Sequence, residues 1–192
     1  MRITLTASFL AAALAALSGC VDAASPESAP DPGKYFTERA QNGTIQARLD
    51  GERLFGATID VALSGDGSYV GHLGTRVVDL RTEEGKVKGI IGTQPTELYV
   101  QPEGEGIRIR GLFAGSLGTL DVTPSVISGK VGRCSYDLTR RGTAAVWYSG
   151  QKVCGNGRMP QLADVAVPSE LDARPPEQRA MLVALFLGAE AG

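Results

Sequence analysis

One histidine, three cysteines and no extended basic run occur in this chain of 192 residues. His72 standing alone excludes a metal site built from several imidazoles, and cysteines at positions 20, 134 and 154 are too far apart for a zinc knuckle. With 19 basic residues against 21 acidic ones the formal charge is −2, which leaves no electrostatic footprint for a phosphate backbone; nucleic acid is not an expected partner. The longest apolar stretch, Ile3 to Leu17, falls short of the ~20 residues of a stable membrane helix. The length fits one domain with a core of its own. Glycine is what the chain has in excess: 25 residues, near twice the usual ~7%. No Gly-X-Y period accompanies them, so collagen is excluded, and turns, bulges or bends are expected.

Catalytic signatures are equally sparse. The nearest approach to a nucleophile elbow, Ala114-Gly115-Ser116-Leu117-Gly118, lacks the first glycine. Gly65-Asp66-Gly67 opens like a dinucleotide fingerprint, but its next glycine comes late and no helix follows. Ser149-Gly150-Gln151-Lys152 matches the bare Ser-x-x-Lys of penicillin-binding enzymes, yet that chemistry needs serine and lysine on one helical turn, and Gly150 weakens any helix there. His72 has Asp60 and Asp79 as potential partners, but its place inside a repetitive β region makes a solvent-facing strand residue the expectation. Asp60, Asp79, Asp121 and Asp137 recur just before expected turns, where solvation or turn hydrogen bonding explains them. A calcium row is the sharper alternative, and the missing Asp-x-Asp spacing counts against it. No catalytic residue, metal or cofactor is expected.

The amino terminus is more informative. Arg2 supplies a positive n-region, Ile3 to Leu17 an Ala/Leu-rich run of secretory h-region length, and Leu17-Ser18-Gly19-Cys20 follows. This order resembles the signal peptide and lipobox of bacterial lipoproteins. The resemblance implies cleavage after Gly19 and acylation of Cys20, with several acyl chains holding the domain on a membrane at ~0.8 kcal/mol per buried CH₂. Val21, where an aspartate would signal inner-membrane retention, implies the outer membrane, with the domain facing periplasm or exterior. From Val21 to Gly33 the Pro/Ala/Ser/Asp-rich sequence reads as a tether reaching ~40 Å at full extension. The expected division is therefore a signal peptide at 1–19, a lipidated tether at 20–33 and a folded domain at 34–192.

Within that domain short alternating strands and polar turns recur. Ala57–Leu63 precedes Tyr69–Gly74, Val77–Leu80 precedes Val87–Gly92, Glu97–Val100 precedes Ile107–Gly115, and Leu120–Val122 precedes Ile127–Gly132. Gly71, Gly89, Gly111 and Gly129 mark a diverged repeat of about twenty residues. Ile107-Arg108-Ile109-Arg110 alternates with period two, as a half-buried strand does. Links such as Ser64–Gly67, Thr82–Gly85 and Glu103–Gly106 are too short for parallel crossovers. The expected fold is all-β: a repetitive antiparallel meander, barrel-like or prism-like, in which strand glycines mark bends where the sheet coils or closes. The alternative is a β-solenoid; the Ile/Val-x-Gly pattern resembles that of bactofilin-type solenoids. Leu162 to Val167 offers a further strand. A C-terminal helix is expected at about 175–187, opened by Pro175, Pro176 and Glu177 and closed by Gly188, with Met181, Leu182, Leu185 and Phe186 as its apolar face against one face or end of the sheet.

With Cys20 assigned to lipid, Cys134 and Cys154 form an even pair for an oxidising compartment, and a disulfide between them is expected. Trp147 and Tyr148 point to opposite faces of a regular strand, and one of them with Tyr136 offers a small binding platform. The functional expectation is a non-enzymatic envelope scaffold or accessory subunit that reaches the membrane through its lipid and binds another envelope protein. A small-ligand or lipid carrier is the first alternative and a hydrolase the second.

Overall fold

A computed structural model describes residues 34–41, 43–141, 147–155 and 159–189. The expected signal peptide, Cys20 and the tether lie outside the described residues. Period-two alternation is carried into strands such as Ile59–Leu63 and Cys134–Arg140. In the strand Ile59–Leu63, for example, Ile59, Val61 and Leu63 are buried while Asp60 and Ala62 are exposed. Fourteen strands follow one another: β1 (Tyr35–Ala40), β2 (Gly43–Asp50), β3 (Arg53–Gly56), β4 (Ile59–Leu63), β5 (Ser68–Leu73), β6 (Arg76–Glu83) and β7 (Lys86–Ile91), then β8 (Gln94–Glu103), β9 (Gly106–Phe113), β10 (Ser116–Val122), β11 (Val126–Val131), β12 (Cys134–Arg140), β13 (Trp147–Cys154) and β14 (Gln161–Ala166). Each pairs antiparallel with its sequence neighbours, and β1 pairs with β14, closing the meander into a barrel. The expected all-β meander with a C-terminal helix is the fold; the solenoid is excluded, because every ladder is antiparallel between consecutive strands.

The repeat has a structural meaning wider than four glycines. Gly71 on β5 faces Val61 on β4, and a Cβ placed on Gly71 would lie 2.0 Å from the Asp60 carbonyl oxygen. Its φ of +154° is also one that L side chains rarely adopt. Gly89, Gly111 and Gly129 repeat this arrangement opposite Leu80, Leu98 and Leu120. Gly56 opposite Ala47 and Gly150 opposite Leu138 extend it. Thus each odd strand from β3 to β13 carries a glycine opposite an inward aliphatic residue on the preceding even strand. The missing side chain lets two strands approach closely and bends the wall, which is how a sheet this long closes.

A barrel of fourteen strands is too wide for its own side chains to fill. The helix α1 (Pro176–Gly188) fills it. Every residue from Ala180 to Gly188 is buried, and the neighbours of α1 come from strands all around the wall. Phe186 stacks on Phe36 of β1 with ring centroids 4.9 Å apart, and Gly188 lies against the Phe113 ring of β9. The Tyr136 hydroxyl on β12 donates to the Leu187 carbonyl oxygen at 2.9 Å. The expectation that α1 packs across one face or end of the sheet is therefore corrected. Ala180 to Gly188 carries no polar side chain, and a helix apolar all round is stable only when surrounded. Thirteen residues at ~1.5 Å each give ~20 Å, matching a six-residue strand at ~3.3 Å per residue. Ahead of α1 a 3-10 turn (Ser169–Ala173) covers the barrel end, with Leu171 buried beneath it and Arg174 bonded to the Gly51 carbonyl oxygen.

Candidate functional site

The residues singled out from the sequence are distributed over the wall rather than gathered. Cys134 and Cys154 are direct cross-strand partners and form a disulfide with an S–S distance of 2.03 Å. Tyr136 and Tyr148 are both buried. Burial and the nearby Glu38 carboxylate push the Tyr136 phenol well above its ordinary pKa, so it stays a hydrogen-bond donor to α1. Tyr148 donates to the Thr123 carbonyl oxygen at 3.0 Å. Trp147 is half-exposed under the Arg39 guanidinium, 4.6 Å from the ring centroid. Trp147 and Tyr148 do alternate in burial, but the three aromatics share no common surface. Alternation sends Tyr136 and Tyr148 inward together, where Tyr136 meets α1 and Tyr148 the Thr123 carbonyl oxygen.

His72 is exposed on the outer face and sits opposite Asp60, as a solvent-facing strand residue should. The Asp60 carboxylate is gripped by Arg53 through two bonds of 2.8 and 2.7 Å, which hold its pKa below the usual aspartate range. Asp79, Asp121 and Asp137 also lie on the outer wall. Asp60, Asp79 and Asp137 are mid-strand rather than before turns, each preceding the inward aliphatic that faces a repeat glycine. Thr119, not Asp121, holds the corresponding place on β10. Asp121 instead pairs with Arg108 at 2.7 Å. Among the described residues no three acidic, histidine or cysteine side chains converge as a metal set. Ser149 and Lys152 are on strand β13, and Lys152 turns inward to Glu38.

That contact was not foreseen. Glu38 on β1 and Lys152 on β13 are 1% and 3% exposed, with Nζ 2.5 Å from Oε1, and Lys152 lies 5.6 Å from the Tyr136 ring centroid. Each group faces the opposite charge of the other, which offsets part of the cost of taking both out of water. No local pattern could reveal it, because the partners are 114 residues apart.

A shallow, open concavity of about 860 Å³ on the outer wall spans β8 to β12. Gly111, Gly118 and Gly129 on three adjacent strands form its floor, where the wall bends inward. Tyr99, Arg110, Leu117 and Lys130 rise around it, and Ser135 closes the β12 side. Leu117 is 72% exposed, one of several apolar side chains, among them Val70, Val77, Ile90 and Leu162, that stand on the outer wall between charged ones. The described lining contains two cations and no carboxylate. Such a surface suits an acidic segment carrying an apolar side chain. Only the glycines of this site were visible in the sequence; Leu117 is one leucine among many until the barrel places it outside. The chain matches no family model, and no similar curated protein or solved structure was found.

Proposed function

We propose that this chain is an outer-membrane lipoprotein, held by acylated Cys20 and the tether at 21–33, whose barrel binds another envelope protein rather than catalysing a reaction. The observation that carries this reading is the filling of the barrel by α1. With α1 occupying most of the interior, the wall offers the surface on which a partner protein can be met, and the β8–β12 groove lies on it. The wall also carries Asp60, His72, Asp79, Lys88, Arg110 and Asp137 on its outer face, unlike the apolar band of a membrane-spanning barrel, which fits a domain standing in water beside the membrane. No helix among the described residues is long and apolar enough to cross a membrane. The partner segment is acidic, to meet Arg110 and Lys130, and carries an apolar side chain to cover Leu117.

Photo-crosslinking in intact envelopes tests this. A crosslinker at position 117 should trap a second protein, whereas one at Val77 on the far wall should not. Recovery of monomer alone from position 117 overturns the binding reading. Cys20→Ala should release the protein from membranes; retention after that change overturns the anchor.

A further inference from the structure

The helix does not fill the barrel completely. At the end where α1 enters, a cavity of about 220 Å³ lies between its first turns, the 3-10 turn and the ends of β9 to β14. Its apolar lining comes from Ile107, Val122, Tyr148, Val167, Leu171 and Val183. Two guanidinium groups reach it. Arg140, whose Nη1 donates to the Pro124 carbonyl oxygen at 3.3 Å, stands on the wall, and Arg179 belongs to α1. The Arg179 Nε is shielded from solvent and has no acceptor. Its paired carboxylate, Asp172, is 4.0 Å from Nη1 and 88% exposed, so that pair is long and open to water. Glu105, the other acid at the cavity, is also exposed and belongs to the rim.

A chamber with an aliphatic lining, beside a guanidinium that is 27% exposed but has a shielded, unpartnered Nε, is half of a recognition site for an amphipathic anion. Burial strengthens a charge-assisted hydrogen bond, and a planar guanidinium fits a carboxylate in particular. The volume sets the size of the other half. At about 30 Å³ per water-sized group the cavity holds roughly seven, close to the size of a single-chain carboxylate of about six to eight carbons in all. The long acyl chain of a membrane lipid exceeds this volume and would have to extend out of the cavity mouth. We propose that this end cavity binds a short single-chain carboxylate, with Arg179 as the principal partner of the head group and the aliphatic lining around the tail. This goes beyond partner binding at the outer groove, which uses different residues on the opposite side of the wall from the cavity.

Calorimetric titration of the full secreted chain carrying Cys20→Ala, with hexanoate, octanoate, dodecanoate and octanol below their aggregation limits, tests the proposal. Saturable one-to-one binding of hexanoate or octanoate is expected, with octanol and dodecanoate at least tenfold weaker. Arg179→Gln should weaken octanoate binding at least tenfold without changing the melting temperature of the unliganded protein by more than a few degrees. Val183→Phe should abolish binding with the circular dichroism spectrum unchanged; should that variant not fold, Val122→Phe narrows the same chamber from the wall. No saturable binding, equal affinity for octanol and octanoate, or an unchanged affinity in Arg179→Gln or in the folded filling variant each overturns the proposal.

Discussion

The arc from β2 to β13 and the seam where β1 meets β14 are both antiparallel sheet, yet they are held differently. Along the arc each unit is local: an even strand and the odd strand that follows it, whose glycine lies opposite an inward aliphatic residue. At the seam β1 has no such glycine. There the interior holds the Glu38–Lys152 pair and the Phe36–Phe186 stack, contacts between chain ends. The difference shows that repetition solves curvature but not closure. Neighbouring hairpins can be correct one at a time, whereas the last pairing joins strands separated by nearly the whole domain, and a one-residue slip there would turn every side chain to the wrong face. A buried ion pair penalises such a slip, because a misplaced Glu38 or Lys152 would be buried alone.

Breaking the seam should have the largest effect. Lys152→Met leaves Glu38 buried without its counterion and should destabilise by about 3–5 kcal/mol in chemical denaturation. Glu38→Leu combined with Lys152→Met should recover most of that loss. A double variant as unstable as the single one would show that the charges are not what closes the seam. Next, reducing or replacing Cys134 and Cys154 at the junction of arc and seam should cost about 3 kcal/mol, the entropy of a loop of this length in the denatured chain. Within the arc, Gly89→Ala should cost about 2–3 kcal/mol, because its Cβ would meet the Asp79 carbonyl oxygen at 2.0 Å with φ at +146°. Gly65→Ala, in a turn with open space around it, should be nearly neutral in the same denaturation series. The smallest effect belongs to Asp60→Asn on the outer wall. Its pKa is depressed by Arg53, so the contribution of the pair is present at neutral pH and lost as pH falls through the lowered value, below the ordinary ~3.9 of aspartate. The difference between wild type and Asp60→Asn in urea midpoint should therefore be slight at pH 7 and vanish in strong acid.

The arc was the legible part. Strands from β4 to β13 announce themselves through alternation and Gly-containing turns, and the spacing of Gly71, Gly89, Gly111 and Gly129 exposes the hairpin unit. Gly56 is hard to read because it ends a strand of only four residues, and Gly150 because Lys152 is buried on β13 where alternation would place an apolar residue. Strand β1 is obscured because Thr37 and Glu38 are buried beside Phe36. The candidate surfaces were less legible still. Tyr136 and Tyr148 belong to strands recognised as such, but which face is inside depends on closure. Leu117, Arg110 and Lys130 become neighbours only across three strands, and Arg179 meets the end cavity only because α1 is threaded through the barrel.

By itself the sequence determined the local units: which segments alternate, where they turn, which strand positions lack a side chain, that a short apolar helix ends the domain and that two cysteines are matched. These follow from contacts within about twenty residues, where turn type and period two leave little choice. Only the tertiary structure decided that the meander closes on itself, that α1 lies inside, that Glu38 finds Lys152, and that a cationic groove and an end cavity result. Closure is the accumulated bend of fourteen strands set against the volume of whatever fills them, a balance that no single segment carries.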